Sequence, residues 1–231
     1  MNQPQSPVSL KGRRVLVTQA TDFMGPALCQ MLGRYGAEVI ADAGALDGVT
    51  AAAEAIARAG EIDTIVANLG ISAPTTRVGE VDEDEWHTAF AHMVDPLPRL
   101  LKAVLPAWRH RGRGDFLVMG SASALRGMRR TSTYSAARGA QLAWAQAVGV
   151  ELAGDNIRVN AIAQNFVDNP TYFPESLQAN PAFQERLRRE VPLGRLVAAD
   201  EDAAFAGFLL SDAARCFVGQ VFPVCGGWVT R

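Results

Sequence analysis

Lysine is nearly missing from this chain of 231 residues: of its 22 basic residues only Lys11 and Lys102 are lysines. Cysteine is scarce too. Cys29, Cys216 and Cys225 are odd in number, outside any C-x-x-C spacing and without a histidine nearby, which argues against a disulfide framework or a zinc site and suits a reducing cytoplasm. There is no excess of charge, 22 basic residues standing against 24 acidic ones for a net charge of −2. A nucleic-acid binder needs a basic face for phosphates and an acidic disordered tail needs many more carboxylates, so neither class fits. Long apolar runs are absent: the uncharged stretch 139–150 stops at Glu151, well short of the roughly 20 residues of a membrane helix. His87, His92 and His110 have polar or charged neighbours and no ligand spacing, so they read as solvated helix-face residues, and no metal is expected. Residues 1–12 are polar and lack an apolar h-region. They are not a signal peptide, and the expectation is a short flexible leader over 1–11 before a single catalytic domain over 12–231.

What is present is a regular alternation. Short apolar runs at 14–18 (RVLVT), 37–41 (AEVIA), 63–68 (DTIVAN), 115–120 (DFLVMG), 157–162 (IRVNAI) and 220–224 (QVFPV) read as strands. Between them, 26–35, 49–58, 86–108, 133–153 and 200–210 read as helices. Strands alternating with helices predict an α/β fold, a Rossmann-like, doubly wound parallel sheet flanked by helices in three layers. In such a sheet ligands bind beyond the carboxyl ends of the strands, so the residues just after each strand carry the chemistry.

After the first strand comes Thr18-Gln19-Ala20-Thr21-Asp22-Phe23-Met24-Gly25, where a dinucleotide-binding protein places its glycine-rich phosphate turn. Only Gly25 remains of the glycines that let a pyrophosphate approach the backbone, and a ring at Phe23 would fill that space. Asp42, after the second strand, stands where such a fold often puts an acid for ribose; with the turn blocked it reads as a turn residue. Ser121 follows the strand 115–120, and Tyr134 and Arg138 lie four apart on one helix face. A guanidinium beside a tyrosine oxygen favours the phenolate, and a serine hydroxyl can hold the oxygen whose proton that tyrosine removes. The trio suits activation of an alcohol.

These residues resemble the short-chain dehydrogenase/reductase family. Other shared marks are Asn68 and Gly70 in NLG, at the place of an Asn-Ala-Gly turn, and VNAIA at 159–163. The departures are TQATDFMG for the glycine-rich turn, Arg138 for a catalytic lysine, Gln164-Asn165 for Pro-Gly, and Met93 for a catalytic asparagine. They are similar to the halohydrin dehalogenases, whose Thr-x4-Phe/Tyr-x-Gly and Ser-x12-Tyr-x3-Arg patterns are met by Thr18, Phe23 and Gly25 and by Ser121, Tyr134 and Arg138. Residues 165–174, VPLGRL at 191–196 and GGW at 226–228 also resemble that family.

The resemblance implies reversible displacement of halide from a vicinal haloalcohol to give an epoxide, with Tyr134 as base and no nicotinamide or other cofactor. The reverse opening would accept halide, azide, cyanide or nitrite. It also implies a homotetramer, with a halide and substrate pocket drawn from Thr18, Phe23, Gly25, Leu69, Gln164, Asn165, Phe166, Val167, Tyr172 and Phe173. Backbone N–H groups of 164–167 would form the anion nest. Leu69 stands where some relatives carry an acidic residue behind the halide site.

Plainer readings compete. Arg138 could reflect the general preference for arginine, leaving an NAD(P)-dependent reductase, but such a bias does not explain losing two glycines in a chain with 21. A ligand sensor would keep the fold and discard the chemistry. Phe166, Tyr172 and Phe173 either line a pocket or close a loop onto the core. Trp228 is either core or reaches a neighbouring subunit, Trp86 and Trp144 read as packing residues, and the run 109–113 (RHRGR) reads as a solvated helix end.

Overall fold

The computed structural model describes residues 8–230. Parallel strands β1 (Arg14–Val17), β2 (Glu38–Ala41), β3 (Thr64–Ala67), β4 (Gly114–Ser121), β5 (Ile157–Gln164) and β6 (Val221–Val224) make one sheet in the order β2-β1-β3-β4-β5-β6. The helices are α1 (Gly25–Arg34), α2 (Ala51–Ala59), α3 (Glu83–Met93), α4 (Pro96–Arg111), α5 (Ser132–Leu152), α6 (Glu175–Gln178), α7 (Pro181–Glu190) and α8 (Ala199–Leu210). None of them is long and apolar enough to cross a membrane.

Successive strand residues point to opposite faces, and both faces are covered, so the central strands read as unbroken apolar runs. Leu16, Ile65, Phe116, Val118 and Val159 pack with Leu97, Leu100 and Trp108 of α4 and Leu142 of α5. Val15, Val17, Val66, Leu117, Met119 and Ile162 pack with Leu28 and Leu32 of α1 and Ala203, Ala206 and Leu209 of α8. At the amino ends of the strands, Asp115 is buried between two arginines, taking Arg13 Nη1 at 2.7 Å and Arg158 Nε at 2.6 Å. Both guanidinium groups also donate to Leu210 O, tying α8 to the sheet.

The structure departs from the sequence expectation in four places. Leu10, assigned to the leader, is fully buried and its N–H donates to Tyr35 O at 2.8 Å, so ordered chain begins before residue 12. Residues 1–7 of that expected leader lie outside the described residues. The expected helix 86–108 is two helices, because Pro96 has no N–H to continue the ladder. There Asp95 N–H reaches back to Phe90 O and Leu97 N–H turns to Val94 O, leaving Met93 O outside the helix. Helix α7 was not expected, although Asn180 caps it on Ala182 N–H, Pro181 opens it, and Phe183 and Leu187 are buried four residues apart. Trp86, expected to pack, is 40% exposed and stacks on Phe90.

Candidate active site

The carboxyl ends of β1, β3, β4 and β5 converge on a cavity of about 360 Å³. Ser121 closes β4, and its Oγ accepts from Ser123 N–H at 3.2 Å and from Ser123 Oγ–H at 3.0 Å, which leaves its own proton free to donate. Tyr134 and Arg138 share one face of α5, the guanidinium carbon 5.0 Å from the phenol ring centroid. Arg138 is buried, and its Nη1 lies 2.9 Å from Leu69 O, 3.0 Å from Met119 O and 2.9 Å from Gln141 Oε1. Burial disfavours its charge, but the Tyr134 and Tyr172 oxygens more than offset this and hold the guanidinium above its ordinary value. Gln141 in turn donates to Met93 O at 2.7 Å, the carbonyl released by the break between α3 and α4.

The turn after β1 is folded shut on Gly70. Gln19 grips that residue twice, its Oε1 accepting from Gly70 N–H at 2.7 Å and its Nε2 donating to Gly70 O at 3.1 Å. The Phe23 ring lies against Gly70, where an added Cβ would come within 3.1 Å of Phe23 Cε2. Gln19 and Phe23 hold φ of 42° and 52°, the left-handed conformation that glycine adopts freely and other residues adopt at a cost. The N–H groups of Ala20, Asp22, Phe23 and Gly25 donate to Asp42 O, Gln19 O, Thr171 Oγ1 and Asp22 O, so these donors near the start of α1 are spent inside the protein. Asp42 also accepts from Gly44 N–H at 2.7 Å and pairs with Arg58 at 2.9 Å, as a turn residue does.

Of the residues expected around the pocket, Phe23, Gln164, Asn165, Phe166, Val167, Tyr172 and Phe173 line the cavity together with Ser121, Tyr134 and Arg138. Thr18, Gly25 and Leu69 do not. Thr18 is fully buried beneath the turn and its hydroxyl has no partner among the described residues. Gly25 closes against the Ala20 carbonyl, where a Cβ would sit 2.5 Å from the oxygen. The Leu69 side chain belongs to the core, and only its carbonyl reaches Arg138. The expected amide nest over 164–167 is also reduced. Asn165 N–H donates to Val224 O at 3.1 Å and Phe166 N–H to Asn165 Oδ1 at 2.9 Å, so pairing with β6 and a local turn consume them. Val167 N–H has no protein partner among the described residues. Trp228 is core, buried against Phe166 with ring centroids 6.0 Å apart.

Sequence reasoning missed several residues here. Gln141 sits three positions after Arg138 on the same helix face, a spacing that could have flagged it. Arg186, at the cavity rim over the Phe166 ring, comes from the unexpected α7. Asp202 lies fully buried behind Gln164, its Oδ2 accepting from Gln164 Nε2 and its Oδ1 without a partner among the described residues. Burial pushes the Asp202 carboxyl up to about 7, partly countered by the Gln164 hydrogen bond. Nothing in its local sequence separates it from the exposed acids Asp200 and Glu201.

Among known protein families, the one described as enoyl-(acyl carrier protein) reductase matches residues 8–229. The chain is 30% identical over 248 residues to a 3-oxoacyl-(acyl-carrier-protein) reductase, FabG, of Pseudomonas aeruginosa, covering 95% of this chain and 98% of that one. It is 30% identical over 243 residues to a 2-keto-3-deoxy-L-fuconate dehydrogenase of Xanthomonas campestris, covering 95% and 81%. A solved structure named Dehalogenation enzyme superposes with a TM-score of 0.88 at 31% identity, covering 95% and 99%. A gluconate 5-dehydrogenase from Burkholderia cenocepacia, with NADP and tartrate, superposes with a TM-score of 0.87 at 24% identity, a likeness of fold.

Proposed function

The chain belongs to the short-chain dehydrogenase/reductase superfamily, and from that premise we propose that it is a halohydrin dehalogenase that uses no nicotinamide. The observation that carries the reading is the turn after β1, where Gln19 and Phe23 occupy the ground that a pyrophosphate would need and four N–H groups are already engaged. A dinucleotide does not fit these residues, so no step runs through one. Ser121, Tyr134 and Arg138 then serve an alcohol whose oxygen must become a nucleophile. Tyr134 takes the hydroxyl proton, Ser121 donates to the same oxygen, and the buried Arg138 cation offsets the charge on the phenol oxygen. That oxygen attacks the neighbouring carbon, the carbon–halogen bond breaks, and halide leaves with the bonding pair. Phe23 and the unpaired Val167 N–H mark where the halide would lie, and the aromatic wall of Phe166, Phe173 and Phe183 suits an apolar substituent on the haloalcohol or epoxide.

The same reading carries a homotetramer. What supports a contact between copies is a groove of about 590 Å³ on α4 and α5, where Leu101, Leu105, Trp144 and Val148 lie with Lys102 and Arg109; the number four rests on the resemblance. An NAD(P)-dependent reductase is the second reading, favoured by the names of the curated relatives; it requires the turn to open at both Gln19 and Phe23.

The test is proton and halide release from 1,3-dichloro-2-propanol with no nicotinamide present, beside Tyr134→Phe. Stoichiometric chloride and epoxide are expected, falling at least about a hundredfold in the variant, the scale of a lost general base. Transfer of tryptophan fluorescence to added NADPH, with no halide released, would move the assignment to the reductase.

A further inference from the structure

Tyr172 lies on a ten-residue segment, 165–174, that the elements around it hold in place. Its N–H donates to Asn169 Oδ1 at 2.9 Å, Asn169 Nδ2 donates to Val167 O at 3.0 Å, and the Phe23 ring stands 5.2 Å away, centroid to centroid. Its hydroxyl oxygen is 3.1 Å from that of Tyr134 and 2.6 Å from Ile71 O. A carbonyl has only lone pairs to offer, so the single Tyr172 proton is committed to Ile71 O. The contact between the two phenols therefore has one polarity: Tyr134 O–H donates and Tyr172 O accepts.

This arrangement has a chemical sequel. Once Tyr134 has given its proton to water, its oxygen is an acceptor only, and Tyr172 O is already at hydrogen-bond distance. Rotation about one C–O bond carries the Tyr172 proton from Ile71 O to the Tyr134 oxygen, with no heavy atom moving. We propose that Tyr172 is a positioning residue for the base, holding the Tyr134 proton at rest and donating to the Tyr134 oxygen when that oxygen is charged. No proton changes owner on Tyr172; only its hydrogen bond moves. The substrate hydroxyl proton still ends on Tyr134, as the proposed dehalogenation requires, and the activity arm of the test rests on that reading.

Burial and the neighbouring Tyr134 oxygen both push the Tyr172 phenol upward, which suits a group that stays protonated while its partner ionises. Arg138 faces the pair from α5, and among the described residues Arg186 at the rim is the other charged group lining the cavity. Ser121 adds a neutral hydroxyl. Among the described residues no carboxylate lines the cavity, so the Tyr134 phenolate is stabilised by one buried cation and by whatever hydroxyl turns toward it.

The chain has three tyrosines, Tyr35, Tyr134 and Tyr172, so a Tyr35→Phe background leaves only this pair to titrate. Tyrosinate absorbance followed against pH reads the pair directly, whatever the substrate proves to be. Adding Tyr172→Phe is expected to move the first tyrosinate to higher pH by about one unit, the scale of a hydrogen bond to a charged group. The acid limb of kcat/KM for halide release is expected to move the same way, with about a tenfold lower rate at neutral pH. Asn169→Ala, which keeps both phenols but frees the Tyr172 backbone, should give a smaller displacement in the same direction and serves if the first variant does not fold. An unmoved or lowered first tyrosinate overturns the role of Tyr172. A shifted tyrosinate in a protein that releases no halide leaves the pairing standing and overturns the dehalogenase instead.

Discussion

Asp202 is the acid whose ionisation opposes this fold. With its carboxyl pushed up to about 7 by burial, the folded protein keeps a proton there that the unfolded chain loses near the ordinary carboxylate value of about 4. Between those limits the folded state binds more protons, so the contribution of Asp202 to stability is complete below about pH 4 and is lost as pH rises through about 7. Asp202→Asn keeps an oxygen for Gln164 and removes the charge. Its melting temperature relative to the parent should therefore climb from about pH 4 to about pH 8, and a difference that stays flat in thermal melts would mean the carboxylate is not desolvated. At this scale the candidate site was only half legible. Ser121, Tyr134 and Arg138 could be read because their chemistry sits at fixed spacing on one strand end and one helix. Gln141 was passed over although its spacing from Arg138 marks it, and Asp202 could not be read, because a buried polar group is defined by what tertiary packing puts beside it and the acids next to it, Asp200 and Glu201, are exposed.

Among the elements, the turn after β1 decides what the cavity admits. Two residues there adopt left-handed backbone, and Phe23 does so with its ring half-buried against Gly70 and Tyr172. Phe23→Gly removes strain of about 1 kcal/mol while losing the ring's contacts, two effects of opposite sign. Thermal melts should show a shift of a few degrees at most, roughly what 1 kcal/mol produces in a domain of this size. Halide release from the same preparation should fall at least about tenfold, since the ring walls the cavity. Gln19 still grips Gly70 in this variant, so NADPH binding should not appear. The six strands and the alternation with helices were legible here, because parallel strands buried on both faces leave short apolar runs in the sequence. The break between α3 and α4 was carried by Pro96, and α7 by Asn180 and Pro181; both were passed over because apolar spacing alone continues through one and is weak in the other. The amide nest was expected from likeness, and it is reduced because β6 takes the Asn165 N–H and the Asn165 side chain takes that of Phe166.

Across the whole molecule, the sheet is fastened at its amino end by Asp115 between Arg13 and Arg158. Burial lowers the Arg13 guanidinium below its ordinary value, a sign of how little water reaches it. Asp115→Ala would leave two buried cations facing each other without their shared anion, a loss of about 3–5 kcal/mol. Urea unfolding should show the midpoint falling with the slope unchanged; a midpoint within error of the parent would mean solvent replaces the carboxylate. Asp115 and Ser121 stand six residues apart on β4, about 20 Å along an extended strand. The anchoring of the fold and its chemistry therefore occupy opposite ends of the same strands, and the segment 165–190 that walls the cavity joins the scaffold through the bridge of Val167 to Val197 and through Phe166, Phe183 and Leu187 in the core. For a lineage drifting under selection, this separates two kinds of change. Substitutions at the cavity end alter which molecules are turned over and leave the Arg13–Asp115–Arg158 anchor untouched, so descendants can diverge in diet while inheriting the same scaffold.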